Sequence, residues 1–243
     1  MFASKPACID AHTDFVWMKC HQFTTRHVCL RPEDRPHLTN VSTKQSLVAL
    51  DAEGVLIPEV WIAIAEATGI DDLLRTTREE PDYDVLMKGR LNTLAEHDIT
   101  MSQIEDIIEG LDALPGACEF LDELRTRTQV IILSDTFEQF GVPMMCHLNR
   151  PTMLCHRLVV EDDRIVGYKL RIADPKRSAV RNFQALNYRV VAAGDSYNDT
   201  TMLSQADAGF LFHAPDNVIA EFPQFPALDT YDELLDALTN ALT

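Results

Sequence analysis

Two acids two residues apart, Asp51 and Glu53, follow the apolar run Ser46–Leu50 and precede Gly54. A short, bounded apolar run reads as a buried strand, so the pair stands at a strand tip. A carboxylate there can attack phosphorus in line and become an acyl phosphate. An acid two residues on has returned to the same side as the strand breaks. It can protonate a leaving alkoxide, then deprotonate an incoming alcohol or water. Gly54 allows a sharp turn and the close approach of a ligand. Two further carboxylate signatures also follow apolar runs: Ser134-Asp135-Thr136 after Val130–Leu133, and Gly194-Asp195-Ser196-Tyr197-Asn198-Asp199 after Val190–Ala193. Between them lies Asp174-Pro175-Lys176-Arg177, at the first turn of a helix. Taken singly, each has a plainer reading as an acidic turn, a helix cap or a surface lysine. Taken together they point to one place, because ligands of an open α/β sheet collect beyond the carboxyl ends of its strands. Carboxylates crowded there repel unless a cation neutralises them, and hard oxygen ligands suit Mg²⁺. A lysine beside them suits a phosphate, as do the Ser134 hydroxyl and its neighbouring N–H groups.

The elements that must position these residues alternate. After the first strand the chain is helical for about 60 residues. Pro58 is placed at a helix start, ahead of Val60, Ile62, Ile64 and Ala65. Tyr83–Glu96 carries Val85, Leu86, Leu91 and Leu94 on one face, and Ser102–Leu111 carries Ile104, Ile107 and Ile108. Pro115-Gly116 then restarts a β/α pattern: helix Ala117–Arg127, strand Gln129–Leu133, a hairpin over Thr152–Leu170, helix Pro175–Leu186, strand Tyr188–Ala193, helix Thr200–Ala206, strand Gly209–Phe212 and helix Tyr231–Leu242. Such alternation predicts an α/β fold with a doubly wound, mostly parallel sheet. We read 46–57 and 113–243 as a Rossmann-like core and 58–112 as a helical cap inserted after the first core strand. Residues 1–45 read as a poorly ordered extension. Glu59 at the cap entrance and Arg90 on a later cap helix have opposite charge. A zwitterionic amino acid needs such an anion for its ammonium and such a fork for its carboxylate; ordinary exposed helical charges would look the same. Trp61, Tyr83, Met87 and Phe137 read as packing or pocket wall.

At 243 residues, 46% apolar and 24% charged, the chain can bury a full core. A net charge of −17 argues against nucleic acid or an anionic membrane as partner. No apolar run approaches the ~20 residues of a membrane span, and no signal-peptide h-region stands near the start. A cytoplasmic location is therefore expected. Six scattered cysteines make no disulfide framework, and Cys118, Cys146 and Cys155 are expected as buried free thiols. Cys20-His21 and His27-Xaa-Cys29 match no common zinc spacing.

With these motifs in this order, the chain from about Leu47 to Thr243 resembles the haloacid dehalogenase superfamily of aspartyl-phosphate phosphotransferases. The stretches Asp51–Trp61, Pro81–Arg90, Ile132–Phe137, Asp174–Arg177, Ala192–Leu203 and Phe212–Pro226 are similar to its bifunctional phosphoserine phosphatase/homoserine phosphotransferase branch. The resemblance implies Asp51 as nucleophile, Glu53 as acid and base, and Lys176, rather than Arg177, as the lysine that neutralises the phosphate. It implies Mg²⁺ held by Asp51, Asp195, the Glu53 backbone carbonyl and Asp199. Ser134, Asp135, Lys176 and Asn198 would surround the phosphate, while Glu59 and Arg90 would take the amino-acid end. Glu53 stands where the superfamily at large has Asp, a feature of this branch. The implied substrates are O-phospho-L-serine and, as an alternative acceptor to water, L-homoserine. A phosphatase for another small phosphomonoester stays open. So does a homodimer, since acidic α/β enzymes of this size often form one. A signalling receiver module also accepts phosphate on a strand-end aspartate, but the helical insertion and Glu53 speak against it.

Overall fold

The computed structural model describes residues 44–76, 80 and 82–243. The expected extension, with Cys20, His21, His27 and Cys29, lies outside these residues except for Lys44 and Gln45. Gln45 already opens the first strand. The strands are β1 (Gln45–Leu50), β2 (Gln129–Phe137), β3 (Met153–Glu161), β4 (Arg164–Lys169), β5 (Tyr188–Gly194), β6 (Ala208–Phe212) and β7 (Ala227–Leu228). They form one sheet in the order β4-β3-β2-β1-β5-β6-β7. Every neighbouring pair is parallel except the β3/β4 hairpin. The helices are α1 (Val60–Thr68), α2 (Tyr83–Glu96), α3 (Met101–Glu109), α4 (Ala117–Arg127), α5 (Glu138–His147), α6 (Pro175–Ala185), α7 (Thr200–Gln205), α8 (Asp216–Glu221) and α9 (Tyr231–Asn240).

The central strands read as unbroken apolar runs because both sheet faces are covered. Val48, Leu50, Ile132, Val191 and Ala193 point into one core, packed by α1, α3, α4, α5 and α9. Leu47, Ala49, Ile131, Leu133, Val190 and Ala192 alternate into the other, packed by α6, α7 and α8. This is the doubly wound α/β arrangement that the alternation predicted.

Between β1 and α4 the chain is helical. Pro58 precedes α1 rather than starting it, because Glu59 holds the extended N-cap conformation. The Asp82 carboxylate caps α2 by accepting from the Asp84 and Val85 N–H groups at 3.0 and 3.1 Å. Thr100 and Gln103 form a capping box at α3. The buried stripe of α2 is Leu86, Met87, Arg90 and Leu94, while the expected Val85 is 48% exposed. Arg90 turns the helix: a charged residue faces inward at a place where apolar patterning cannot register it.

Two helices and a strand have no counterpart in the sequence expectation: α5, α8 and β7. In α5, Gly141 and Pro143 are ordinarily helix breakers. Gly141 serves close packing instead, since a Cβ there would lie 2.3 Å from Met153 Cε. Ser134-Asp135-Thr136 lies within β2, not beyond it, and caps no helix; Phe137 is the N-cap of α5 and makes no side-chain bond there. The free cysteines also differ from expectation: Cys146 is exposed on α5, and Cys118 and Cys155 are only partly covered. Among the described residues, no helix is long and apolar enough to cross a membrane.

Candidate active site

The floor of the site follows from the register of two parallel strands. Leu50 pairs with Ala193, and the Asp51 N–H donates to the Ala193 carbonyl at 3.0 Å. Asp51 and Asp195 therefore leave the sheet side by side. Asp51 Oδ1 accepts from the Ala52 N–H at 2.7 Å and stands 2.9 Å from Lys176 Nζ. Lys176 Nζ also donates to Asp199 Oδ1 at 2.7 Å. Asp199 Oδ2 accepts from the N–H groups of Asp195 and Ser196 at 3.0 and 3.2 Å. Gly54 has φ +75°, and a Cβ on it would lie 2.6 Å from the Asp195 carboxyl carbon. The Glu53–Gly54 backbone thus lies against that carboxylate, a contact only glycine permits.

All four floor side chains are buried: Asp51, Lys176, Asp195 and Asp199. Burial, then the Asp199 and Asp195 charges, pushes Asp51 well above the usual carboxylate range, with Lys176 opposing. Burial and Asp199 push Asp195 up to about 7. Burial disfavours the Lys176 charge, but Asp199, Asp51 and Asp135 more than offset it, so its pKa lies well above that of an ordinary lysine. Asp51, Asp195 and Asp199 each offer a carboxylate oxygen within 4.8 Å of the others. One lysine does not neutralise three buried aspartates. A divalent cation of the Mg²⁺ kind fits this oxygen set and removes the repulsion.

A cavity of about 270 Å³ opens above this floor. Every expected site residue lines it except Asp199, which sits fully buried behind Lys176. Glu53 reaches the start of α1, where Oε2 accepts from the Val60 N–H at 3.4 Å. Ser134 Oγ accepts from the Thr136 N–H at 3.2 Å. Asp135 Oδ2 accepts from Asn198 Nδ2 at 2.8 Å and lies 3.5 Å from Lys176 Nζ. Its Oδ1 lies 3.5 Å from His156 Nε2. Burial would raise the Asp135 pKa, but Lys176 and the bonds from His156 and Asn198 hold it far below the usual range. Arg177, the rival to Lys176, is exposed and faces Asp174 at 3.9 Å.

Arg90 is 8% exposed, not an exposed helical charge. Its guanidinium lies 4.6 Å over the Trp61 ring, and Nη2 donates to the Arg75 carbonyl at 2.9 Å. Its buried Nε has no hydrogen-bond partner among the described residues. Burial draws its pKa down to about 10, against the support of Tyr83, Glu53 and Glu59. Glu59 lines the same cavity. Sequence reasoning gave Trp61 only a packing or wall role and singled out neither His156 nor Thr136, whose buried Oγ1 also lacks a partner among the described residues. Trp61 earns its part only by lying under Arg90, a contact between helices that no local spacing announces.

Residues 45–207 match the family described as haloacid dehalogenase-like hydrolase. The chain belongs to this family. Among curated relatives of this haloacid dehalogenase-like hydrolase, phosphoserine phosphatase ThrH of Pseudomonas aeruginosa is 61% identical over 189 residues, 77% of this chain and 92% of that one. A phosphoserine phosphatase of Pseudomonas syringae pv. tomato is also 61% identical over 189 residues, covering 77% of this chain and 80% of its own length. Among solved structures, a substrate-bound phosphoserine phosphatase complex superposes with a TM-score of 0.69 at 19% identity, over 81% of this chain and 99% of the other. A phospho-aspartyl intermediate analogue of phosphoserine phosphatase gives 0.68 at 20% identity, with the same coverage. At these identities the two structures speak for the fold alone.

Proposed function

We propose that this hydrolase is a Mg²⁺-dependent phosphoserine phosphatase that forms an aspartyl phosphate on Asp51 and passes the phosphoryl group to water or to L-homoserine. One observation carries the reading. A single cavity of about 270 Å³ has a buried lysine–carboxylate floor and, on its wall, the opposite charges of Arg90 and Glu59. A phosphate joined by a short arm to an ammonium and a carboxylate matches that layout. The names of the two curated relatives support the same substrate. In this proposal the helices within 58–112 act as the cap that encloses the amino-acid end, and residues 46–57 and 113–243 form the catalytic core.

Asp51, Asp195, the Glu53 carbonyl and Asp199 would hold Mg²⁺, with Asp199 also fixing Lys176 through Oδ1. Bound there, the cation offsets the carboxylate charge and that of the phosphate. Asp51 Oδ1 is held by Lys176 and the Ala52 N–H, so attack falls to Oδ2. The Oδ2–P bond forms, the P–O ester bond breaks, and the Glu53 carboxyl gives its proton to the departing serine oxygen. Lys176, the Ser134 hydroxyl and Asn198 surround the phosphoryl oxygens as charge shifts. Glu53, now a carboxylate, takes a proton from the incoming hydroxyl. That oxygen bonds to phosphorus, the Oδ2–P bond breaks, and Asp51 returns as a carboxylate. The acceptor thus enters where serine left. Homoserine carries the same ammonium and carboxylate on an arm longer by one methylene, so Glu59 and Arg90 can hold it for the reverse half-reaction.

The test is phosphate release from O-phospho-L-serine by the purified protein, in Mg²⁺ and then in EDTA, with ³¹P spectra recorded with and without homoserine. Phosphate release in Mg²⁺ alone, with an O-phosphohomoserine signal when homoserine is added, is the expected result. Turnover of p-nitrophenyl phosphate without turnover of phosphoserine would leave the phosphatase and remove the substrate.

A further inference from the structure

His156 stands outside every motif, yet both of its ring nitrogens are engaged. Nδ1 accepts from the Arg171 N–H at 3.2 Å. That nitrogen carries the lone pair, so Nε2 carries the proton. Nε2 faces Asp135 Oδ1 at 3.5 Å. The imidazole is 4% exposed and tilts against the Phe137 ring at 6.3 Å between centroids. It therefore has little room to turn. Asp135 is a hub: one oxygen meets His156, the other meets Asn198 and Lys176, and its carbonyl accepts from the Tyr83 hydroxyl at 3.3 Å. Asp135 and Asn198 also form a shared wall. On one side is the catalytic cavity; on the other is a cavity of about 700 Å³, which His156 lines and Lys176 does not.

We propose that His156 is a positioning residue: with Nε2 set against Asp135 Oδ1 at 3.5 Å, it fixes the carboxylate plane so that Oδ2 holds Asn198 and Lys176 at the catalytic wall. The inference rests on reading that cavity as a phosphomonoester site, not on phosphoserine being its substrate. A carboxylate anchored at one oxygen cannot swing. Without the anchor, Asp135 can rotate and bring both oxygens toward the Lys176 ammonium. It would then compete with Asp51 and the phosphate for that charge, and Asn198 would lose its fixed acceptor. Outer hydrogen-bond partners that orient a reacting group act in this way.

His156→Phe, close in shape but without the donor, is expected to lower kcat/KM about tenfold or more, and His156→Gln, whose amide can still donate to Asp135, to stay within about threefold of wild type. The decisive measurement is a double-mutant cycle with Asp135→Ala. A residue acting through Asp135 adds almost nothing once Asp135 is gone. Should His156→Phe melt too low to assay, His156→Asn, whose shorter side chain falls short of Asp135, takes its place in the cycle. Each variant is assayed with both phosphoserine and p-nitrophenyl phosphate. Additive losses, or His156→Gln as impaired as His156→Phe, overturn the positioning role. Failure of the wild type on phosphoserine alone overturns the substrate assignment, and the cycle then runs on p-nitrophenyl phosphate.

Discussion

Asp51 and Asn have the same shape, so Asp51→Asn isolates charge and nucleophilicity from packing. We expect this substitution to cut kcat by at least about 10³-fold, while the thermal midpoint holds or rises because one buried like charge is gone. Steady-state phosphate release and a melting curve on the same sample check both halves; residual activity within about tenfold of wild type would refute the nucleophile assignment. Arg90→Ala should raise KM for phosphoserine far more than for a phosphomonoester without a carboxylate, with a gap in kcat/KM of about 10²-fold. Equal losses on both compounds would show that Arg90 clamps no carboxylate. Asp51 and Asp195 were legible because each follows a buried strand in a short motif, whereas Asp135 lies inside β2 and Asp199 in the turn after β5. Arg90 was legible as a charge but not as a buried one. Its inward turn depends on the Trp61 ring and the Arg75 carbonyl, neither of which lies next to it in sequence.

At the scale of elements, the β3/β4 hairpin helps to build the inserted helices. Asp163, at its turn, accepts from the Met101 N–H through its carbonyl at 2.8 Å. Its Oδ1 accepts from the Ser102 N–H and hydroxyl, each at 2.9 Å. Arg164 pairs with Asp98 and donates to the Ile99 carbonyl at 3.3 Å. The tip of the core hairpin therefore adds a second cap to α3. The Ser102 bonds hold the Asp163 carboxyl below its ordinary value. A depressed folded pKa stabilises above the unfolded value, near 4, and that contribution is lost as pH falls through the folded value. Asp163→Ala should thus lower the melting temperature by no more than a few degrees at pH 7, and the difference from wild type should shrink toward pH 3. A difference that does not change with pH would assign the effect to packing. The hairpin itself was legible, since Glu161-Asp162-Asp163 separates two strand-like stretches between Thr152 and Leu170. Its grip on α3 was not, because it joins residues about 60 positions apart. α5 was missed for a different reason: it holds Pro143, and its Gly141 is set by close packing against Met153 of β3 rather than by the needs of an isolated helix.

For the molecule as a whole, a chain of net charge −17 also buries Asp51, Asp195 and Asp199 together, and among the described residues Lys176 is the lysine paired with them. Folding without a cation leaves that repulsion in place. Adding Mg²⁺ should therefore raise the melting temperature, by linkage about 2.7 kcal/mol at a hundredfold excess over Kd. Asp195→Asn should remove most of this gain while the metal-free midpoint holds or rises. A midpoint indifferent to Mg²⁺ in the wild type would count against a metal site on these carboxylates.

The position of β1 in the sheet sets a problem of timing. Among the described strands it is the first to be synthesised, yet it lies between β2 and β5, and β5 begins about 140 residues later. At ~5–20 residues per second, one edge of Leu47–Leu50 stays open on the ribosome for on the order of 10 s. An apolar strand with a bare edge invites pairing with a neighbouring nascent chain. The same edge carries Asp51, so the buried lysine–carboxylate floor cannot assemble until Tyr188–Gly194 has emerged and docked. A circular permutant that opens between α5 and β3 makes β5 before β1. It should give more soluble protein at high expression rates than the natural order, with no change in activity per folded molecule.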